Sequence, residues 1–145
     1  MPLHRIVYVS TAAPDVDEAA IEDILESARR GNEARNITGF LLSMDGHFMQ
    51  LLEGPRDAVM ETYETILSDP RHSNQVIVLE TEGETRCFPD WRMGCHVTSQ
   101  HADDSNWKER TSSGVASALP DSVPEYVRML FVSFRAAPGL TIGVQ

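Results

Sequence analysis

The stretch "NITGFLLSMDGHFMQLLEG", residues 36–54, places two apolar segments on either side of Asp45 and Gly46. Asp-Gly suits the tight turns whose twist matches that of two antiparallel strands, so the stretch predicts a β-hairpin. Side chains two apart on a strand point the same way, which places Gln50 on the same apolar face as Phe48. A buried amide without a partner costs on the order of 1 to 3 kcal/mol. The sequence therefore predicts a hydrogen-bonding partner for Gln50 inside the protein.

The segments around the hairpin alternate between strand and helix patterns. Strand patterns cover residues 4–10, 75–83 and 90–97. Helical spacing relates the apolar residues of two further segments, which are Ile21, Ile24, Leu25 and Ala28 after a cap at Asp15 or Asp17, and Val59, Tyr63, Ile66 and Leu67 after Pro55. The order predicts an α+β fold, a ferredoxin-like βαββαβ(β) sheet with two helices on one face.

The chain beyond residue 98 is expected to cover the other face of this sheet with two C-terminal helices. A short helix is predicted near residues 103–117, and helical spacing relates Val123, Val127, Leu130 and Phe134. Val127 and Phe131 fit either a protein interface or the core. We therefore divide the chain into a folded domain at 1–98, a helical segment at 99–136 that caps the sheet and mediates interactions, and a flexible tail at 137–145.

Composition limits the classes of function. The 145 residues carry a net charge of −10, which repels nucleic-acid phosphates and anionic membranes. The sequence has no long apolar leader and no apolar run of membrane-spanning length, so we expect a cytoplasmic protein. Cys87 and Cys95 are too few and too far apart for a zinc knuckle or a CxxC redox pair.

Three polar side chains are expected to face the cleft between the first two helices, although apolar residues line it. Tyr8 on the first strand, Gln50 on the third and Asn32 beyond the first helical stripe all point into that layer. Apolar walls with a few convergent hydrogen-bonding groups suit a flat ring whose edge carries heteroatoms, and a flavin has this form. At the exit of the second helix, Asp69 is a candidate for sugar hydroxyls; the neighbouring "RH" suits a phosphate.

Five motifs occur in an order and spacing that resemble a known family: "RIVYVS", "NITGFLL", "GHFMQLLEG", "ILSDPRHSN" and "RCFPDWRMG". They resemble the BLUF domain, the sensor of blue light using flavin, from about residue 4 to residue 97. The resemblance implies a photochemical switch, not an enzyme, with noncovalently bound FAD; FMN or riboflavin also fits. Short members of that family act as homo-oligomers and by binding separate signalling proteins, so we expect both here, with no nucleic acid and no membrane as partner.

The resemblance also implies roles for individual residues. Tyr8 would donate an electron and a proton to the excited flavin, Gln50 would bridge Tyr8 and the flavin N5/O4 edge, and Asn32 would hold the pyrimidine edge. The remaining expected flavin contacts are Ile24, Ala28, Ile37, Leu41, Phe48, Ile66, Asp69, Arg71 and His72. Position 31 is Gly where many relatives place a polar side chain, so one hydrogen bond to the ring would be missing.

Trp91 and Met93 correspond to the family's mobile Trp/Met pair. They lie two apart in the expected fifth strand, which predicts that both face the same side of the sheet. We expect light to rotate or tautomerise Gln50, and this change to alter the packing of Trp91 or Met93. The hypothesis is that the fifth strand then relays the change to helices near residues 103–134 and alters a subunit or partner interface.

Three other functions compete with the photoreceptor. A hydrolase of the acylphosphatase type shares the ferredoxin-like fold, but the segment after the first strand, "STAAPDV", is not a glycine-rich anion-binding loop. An interaction module that has lost flavin would have little reason to combine Tyr8, Asn32 and Gln50. A metal enzyme is disfavoured because the five histidines show no ligand spacing such as HxxxH.

Overall fold

The computed structural model describes residues 2–98 and 119–136. Its elements are β1 (Leu3–Ala12), α1 (Glu18–Arg35), β2 (Thr38–Met44), β3 (His47–Gly54), α2 (Arg56–Leu67), β4 (His72–Gly83), β5 (Gly94–Thr98) and α3 (Glu125–Ala136). We call residues 84–93, between β4 and β5, the β4–β5 segment. The helix expected near residues 103–117 and the tail at 137–145 lie outside the described residues.

The strands form one sheet in the order β4-β1-β3-β2-β5. β1 is antiparallel to β3 and β4, β2 is antiparallel to β3, and β5 runs parallel to β2 at the edge. The first four strands have the ferredoxin-like order with a fifth strand added, which confirms the predicted fold class. Every residue of β2 is buried, because helices cover the centre of the sheet on both faces.

The hairpin forms as its turn residues predict. Asp45 and Gly46 both have positive φ, 49° and 84°, which is the combination that a tight turn with the right twist requires. The resulting register of the hairpin places Leu41 of β2 opposite Gln50 of β3. On the other side of β3, the long-range pairing with β1 places Tyr8 directly opposite Gln50. The turn chemistry therefore sets which side chains of β2 and β3 meet, and the separate pairing of β1 adds Tyr8 in the middle of the sheet.

Helices α1 and α2 cover one face, which we call the α1/α2 face. The Asp17 carboxylate accepts a hydrogen bond from the Ala20 amide and caps α1, and Asn36 ends the helix with φ of 59°. The helices pack apolar side chains against those of the strands in one cluster, which includes Ile21, Leu25, Val59 and Tyr63 with Ile6, Tyr8, Leu41, Phe48 and Leu52. The cleft predicted between the helices lies within this layer.

Helix α3 covers the opposite face, which we call the α3 face. Val127 and Phe131 are fully buried against Phe40 and Leu51, together with Val123 from the turn before the helix. Of the two interpretations open for Val127 and Phe131, the core is therefore correct and the interface is wrong. Leu130 and Phe134 remain partly buried at the edge of the same cluster.

The predicted placement of Trp91 and Met93 on one face is wrong. The fifth strand begins at Gly94, so both residues belong to the irregular β4–β5 segment. Trp91 packs on the α3 face, where its ring centroid lies 5.5 Å from that of Phe88, whereas Met93 is buried on the α1/α2 face. Side-chain alternation holds only for extended strand backbone, and here α1 side chains, rather than a neighbouring strand, bind the carbonyl oxygens of Arg92 and Met93.

Candidate functional site

A cavity of about 140 Å³ opens between α1 and α2 above the sheet. The structure places eleven of the twelve expected flavin contacts on its wall: Tyr8, Ile24, Ala28, Asn32, Leu41, Phe48, Gln50, Ile66, Asp69, Arg71 and His72. Ile37, the twelfth, is fully buried in the neighbouring apolar cluster and does not line the cavity.

Sequence reasoning missed several residues of the wall. Ser27, Arg35, Leu52, Thr62 and Thr65 also line the cavity. Helical spacing was the signal that could have found two of them, because Arg35 follows Asn32 by three positions and Thr62 precedes Ile66 by four. Both are polar, so the apolar stripes of α1 and α2 do not include them.

Gln50 obtains its partners from Tyr8 and Met93. The Tyr8 hydroxyl donates to Gln50 Oε1, and Gln50 Nε2 donates to Met93 Sδ at 3.3 Å. The amide is 5% exposed, so these contacts replace water. A thioether sulfur is a weak acceptor, which leaves the amide N–H groups with capacity for a stronger one. The pattern around Gln50 predicted a partner, and Tyr8 is the one that the family resemblance implied.

The electrostatics of Tyr8 keep its phenol neutral. Burial raises the pKa of Tyr8 well above its ordinary value, and nearby Tyr63 and Asp69 act in the same direction. The Tyr63 ring lies beside it, with centroids 5.4 Å apart. A neutral buried phenol holds its proton until another event makes it more acidic, and the oxygen of Gln50 is the acceptor already in contact with it.

Asn32 lies on α1 and ties the cavity to the β4–β5 segment. Its Nδ2 donates to the Arg92 carbonyl oxygen at 2.5 Å, and one turn earlier Arg29 Nε donates to the Met93 carbonyl oxygen at 3.0 Å. Asn32 is 3% exposed. Within residues 2–98 and 119–136, no group donates to its Oδ1, so this oxygen is open to a donor on a ligand.

The rim of the cavity carries Asp69, Arg71 and His72. Arg71 donates to both carboxylate oxygens of Asp69, at 3.0 Å from Nε and 2.7 Å from Nη2, and these hydrogen bonds lower the pKa of Asp69. His72 Nδ1 and Ser10 Oγ are 2.7 Å apart, and burial lowers the pKa of the imidazole. At neutral pH the rim therefore presents a compensated ion pair and a neutral histidine.

Arg35 is the cavity-lining cation that has no carboxylate partner among the described residues. Its Nη1 donates to Thr62 Oγ1 at 3.3 Å, which is a neutral partner. Because Arg71 is compensated by Asp69 and Arg35 is not, the uncompensated positive charge of the wall lies at Arg35.

The residues of the cavity fit a flat ring with polar edges. Ile24, Leu41, Phe48 and Ile66 supply apolar walls, and the amides of Asn32 and Gln50 supply donors and acceptors. Gly31 also lines the cavity, and a Cβ at that position would meet nothing within 4 Å. Because Gly31 has no side chain, open space remains beside Asn32, where relatives are expected to place a polar group.

Other kinds of site are not found in the described part of the chain. Within it, no group of three or more His, Cys, Asp or Glu residues is arranged to hold a metal ion. No helix there is long and apolar enough to cross a membrane. Cys87 and Cys95 are free, and burial raises their pKa values to about 12 and about 11.

The comparisons with known proteins all indicate the same family. A family model described as "BLUF: Sensors of blue-light using FAD" matches residues 3–94. The chain is 36% identical over 92 residues to photoactivated adenylate cyclase subunit beta of Euglena gracilis, which covers 63% of this chain and 11% of the relative. It is 40% identical over 86 residues to the blue light- and temperature-regulated antirepressor BluF of Escherichia coli (strain K12), covering 59% of this chain and 21% of the relative.

Among solved structures, the dark state of BlrB, a BLUF protein, superposes with a TM-score of 0.64 and 29% identity, covering 80% of this chain and 95% of that one. This chain thus spans only a small part of the curated relatives but nearly all of BlrB. The matches support flavin photochemistry and do not favour the acylphosphatase or the light-inactive module considered above.

Proposed function

This chain belongs to the BLUF family of flavin-based blue-light sensors, and we propose that its signal begins at the Tyr8–Gln50 hydrogen bond and leaves the cavity through Met93. The observation that carries the proposal is the chain of contacts from the Tyr8 hydroxyl to Gln50 and from Gln50 to the Met93 sulfur. It connects a redox-active side chain to the β4–β5 segment through a single amide.

A bound flavin would supply the absorption of blue light and, when excited, an acceptor for an electron. Tyr8 is the buried phenol of the cavity wall, and loss of an electron makes a phenol strongly acidic. Gln50 Oε1 already accepts the hydrogen bond of the Tyr8 hydroxyl, so the released proton has a path of one contact. When the electron returns to Tyr8, the proton would return with it, and the phenol would be restored. Tyr8 therefore acts as donor, and Gln50 is the group whose hydrogen bonding changes.

Gln50 can present its amide in two orientations, because one end accepts and the other donates. In the arrangement seen here, the oxygen faces Tyr8 and the nitrogen faces Met93. After rotation the oxygen would face a thioether, which has no proton to donate. We propose that this mismatch displaces Met93, and that Trp91, which lies on the other face, follows only through the backbone.

FAD is the proposed cofactor, with FMN and riboflavin compatible with the same ring site. Asn32 would hold the edge of the ring, and the apolar residues of the wall would contact its faces. Asp69 would face the sugar hydroxyls and His72 the phosphate. Arg71 would contribute to the phosphate site as well, although its charge is already paired with Asp69, so we propose Arg35 as the main cationic contact.

The Arg35 assignment predicts a difference between flavins. Arg35→Ala should weaken FAD binding on the order of tenfold, because one charge-assisted hydrogen bond to the phosphate is lost. Riboflavin binding should remain nearly unchanged, because riboflavin has no phosphate. Titration of apoprotein with both flavins, followed by fluorescence quenching, measures the two dissociation constants. Arg30→Ala, which removes an exposed α1 arginine paired with Glu26, is the matched control. Equal losses for both flavins in Arg35→Ala would contradict the assignment.

The output is proposed to be a protein contact. The matched domain is a sensor, and its relatives include cyclase subunits and an antirepressor. We propose that this chain has no catalytic activity of its own and that light changes its contacts with a second copy or with a separate signalling protein.

An absorption spectrum of the purified protein, taken in the dark and under blue light, tests the proposal. The expected result is a flavin spectrum that shifts to the red on illumination and recovers in the dark. A bound flavin without a reversible shift would contradict the proposed photochemistry, and a protein that takes up no flavin after reconstitution would contradict the proposed site.

A further inference from the structure

Glu53 is a fully buried carboxylate on the α3 face, and the light reaction described above makes no use of it. It accepts four hydrogen bonds. Oε1 accepts from Arg5 Nε at 3.2 Å and from the Cys87 amide at 2.8 Å, and Oε2 accepts from Thr38 Oγ1 at 3.2 Å and from the Phe88 amide at 2.7 Å. A charge this deep is tolerated only when it is paired and hydrogen-bonded, so these groups are held as one unit.

Two of these donors are backbone amides of the β4–β5 segment. Glu53 therefore fixes the path of the main chain there, independent of the side chains at Cys87 and Phe88. β1, through Arg5, β2, through Thr38, and the β4–β5 segment therefore meet at this carboxylate. Glu53 lies three residues along β3 from Gln50 and on the opposite face of the sheet.

The β4–β5 segment is also held at its other end. Residues 92 and 93 accept hydrogen bonds from Asn32 and Arg29 of α1, and the Met93 sulfur accepts from Gln50. Between the two anchors, the Trp91 ring stacks on Phe88 at an interplanar angle of 24°. The Trp91 carbonyl oxygen also accepts from the Gly39 amide of β2 at 3.0 Å, so few residues between the anchors are free to absorb a shift at Met93.

Arg5 extends the unit to α3. Its Nε contacts Glu53, its Nη2 donates to the Thr85 carbonyl oxygen at 2.8 Å, and its Nη1 donates to the Tyr126 hydroxyl at 3.2 Å. Tyr126 lies in the first turn of α3. One guanidinium thus joins the start of α3, the β4–β5 segment and the buried carboxylate.

We propose that Glu53 is a positioning residue that holds the β4–β5 segment where Met93 meets Gln50, and that Arg5 couples this segment to α3 through Tyr126. The inference rests on the proposed function, in which Met93 receives the change at Gln50. It assigns the output to a movement of the first turn of α3 relative to the sheet.

Hydrogen exchange in the dark tests the positioning role. In flavin-loaded Glu53→Gln, one of the two amides, that of Cys87 or that of Phe88, should exchange on the order of tenfold faster than in the wild type, because a glutamine keeps one acceptor oxygen where the carboxylate offers two. Unchanged exchange at both amides would overturn the role of Glu53. This measurement needs no light reaction, so its outcome does not depend on the proposed photochemistry.

Tyr126→Phe tests the coupling of Arg5 to α3. The proposal can be tested with this variant even if Glu53→Gln does not fold. The Tyr126 side chain is 48% exposed, so loss of its hydroxyl should leave the fold intact. In the wild type, blue light should change the exchange of the α3 amides. Tyr126→Phe should reduce that change severalfold while the red shift of the flavin persists, and Met129→Ala, which alters another exposed α3 side chain, should retain it.

Two results would overturn the coupling: a wild-type α3 that does not respond to light while the flavin shifts, or a Tyr126→Phe variant that responds as the wild type does. Failure of the proposed function has a different signature, because the wild-type flavin spectrum itself would then not shift.

Discussion

In Tyr8→Phe, blue light is expected to leave the flavin spectrum unshifted although the protein still binds flavin. The substitution removes the hydroxyl that donates to Gln50 Oε1 and keeps the apolar ring in the cluster on the α1/α2 face. With neither a readily oxidised phenol nor a proton to transfer, the hydrogen bonding of Gln50 has no cause to change. Absorption difference spectra before and after illumination measure the effect, and the expected loss of the reversible shift is complete.

Tyr63→Phe is the matched control for Tyr8→Phe. Tyr63 lies in the same cluster, with its ring centroid 5.4 Å from that of Tyr8, and the Gln50 amide contacts Tyr8 and Met93 instead. This variant should retain the red shift. A normal shift in Tyr8→Phe, or an equal loss in both variants, would contradict the role assigned to Tyr8.

The second large effect is expected for Gly39→Ala, which should destabilise the fold by about 3 kcal/mol or more, at or above the usual cost of overpacking a core. A Cβ at position 39 would lie 1.9 Å from the Leu51 carbonyl oxygen and 3.2 Å from Met93 Cε. The oxygen belongs to the backbone of the paired strand, so it cannot move without disturbing the β2–β3 ladder. Urea unfolding of the apoprotein, followed by circular dichroism, measures the loss.

Gly31→Ala is the control for Gly39→Ala, and the opposite sign is expected for it. Gly31 lies inside α1, and a Cβ there would meet nothing within 4 Å. Replacing a helical glycine by alanine stabilises by roughly 0.5 to 1 kcal/mol. If Gly39→Ala were as stable as the wild type, the backbone of β2 and β3 would have to separate at little cost, and the prediction would be wrong.

The parts of the site that could be predicted come from strand and turn chemistry. Asp45 and Gly46 define the turn, and the register that follows from it places Gln50 opposite Leu41, while strand alternation directs Tyr8 and Gln50 into the same layer. The helical stripe that contains Ile24 and Ala28 leads one turn further to Asn32, which does line the cavity. In each case the signal lies in residues close together in the chain, where side-chain direction follows from a known period.

The placement of Trp91 and Met93 could not be obtained in this way. Alternation fails here because the segment is not extended strand: the carbonyl oxygens of Arg92 and Met93 accept from the side chains of Asn32 and Arg29. The charge of Arg71 is paired with Asp69, whereas Arg35 has the neutral partner Thr62. This difference also depends on contacts that no periodicity in the sequence predicts.

Local chemistry thus sufficed for the hairpin, the helical stripes and the direction of Tyr8 and Gln50 into one layer, because turns, strand alternation and helical stripes depend on neighbouring residues. The family and the Tyr8–Gln50 contact came from the resemblance of five motifs along the chain. Packing over long range settled the rest: which face Trp91 and Met93 take, and how Glu53 binds backbone amides 34 and 35 residues away. A backbone amide is the same in every residue but proline, so a carboxylate that binds one leaves no pattern at the distant position, and only the folded chain brings the two together.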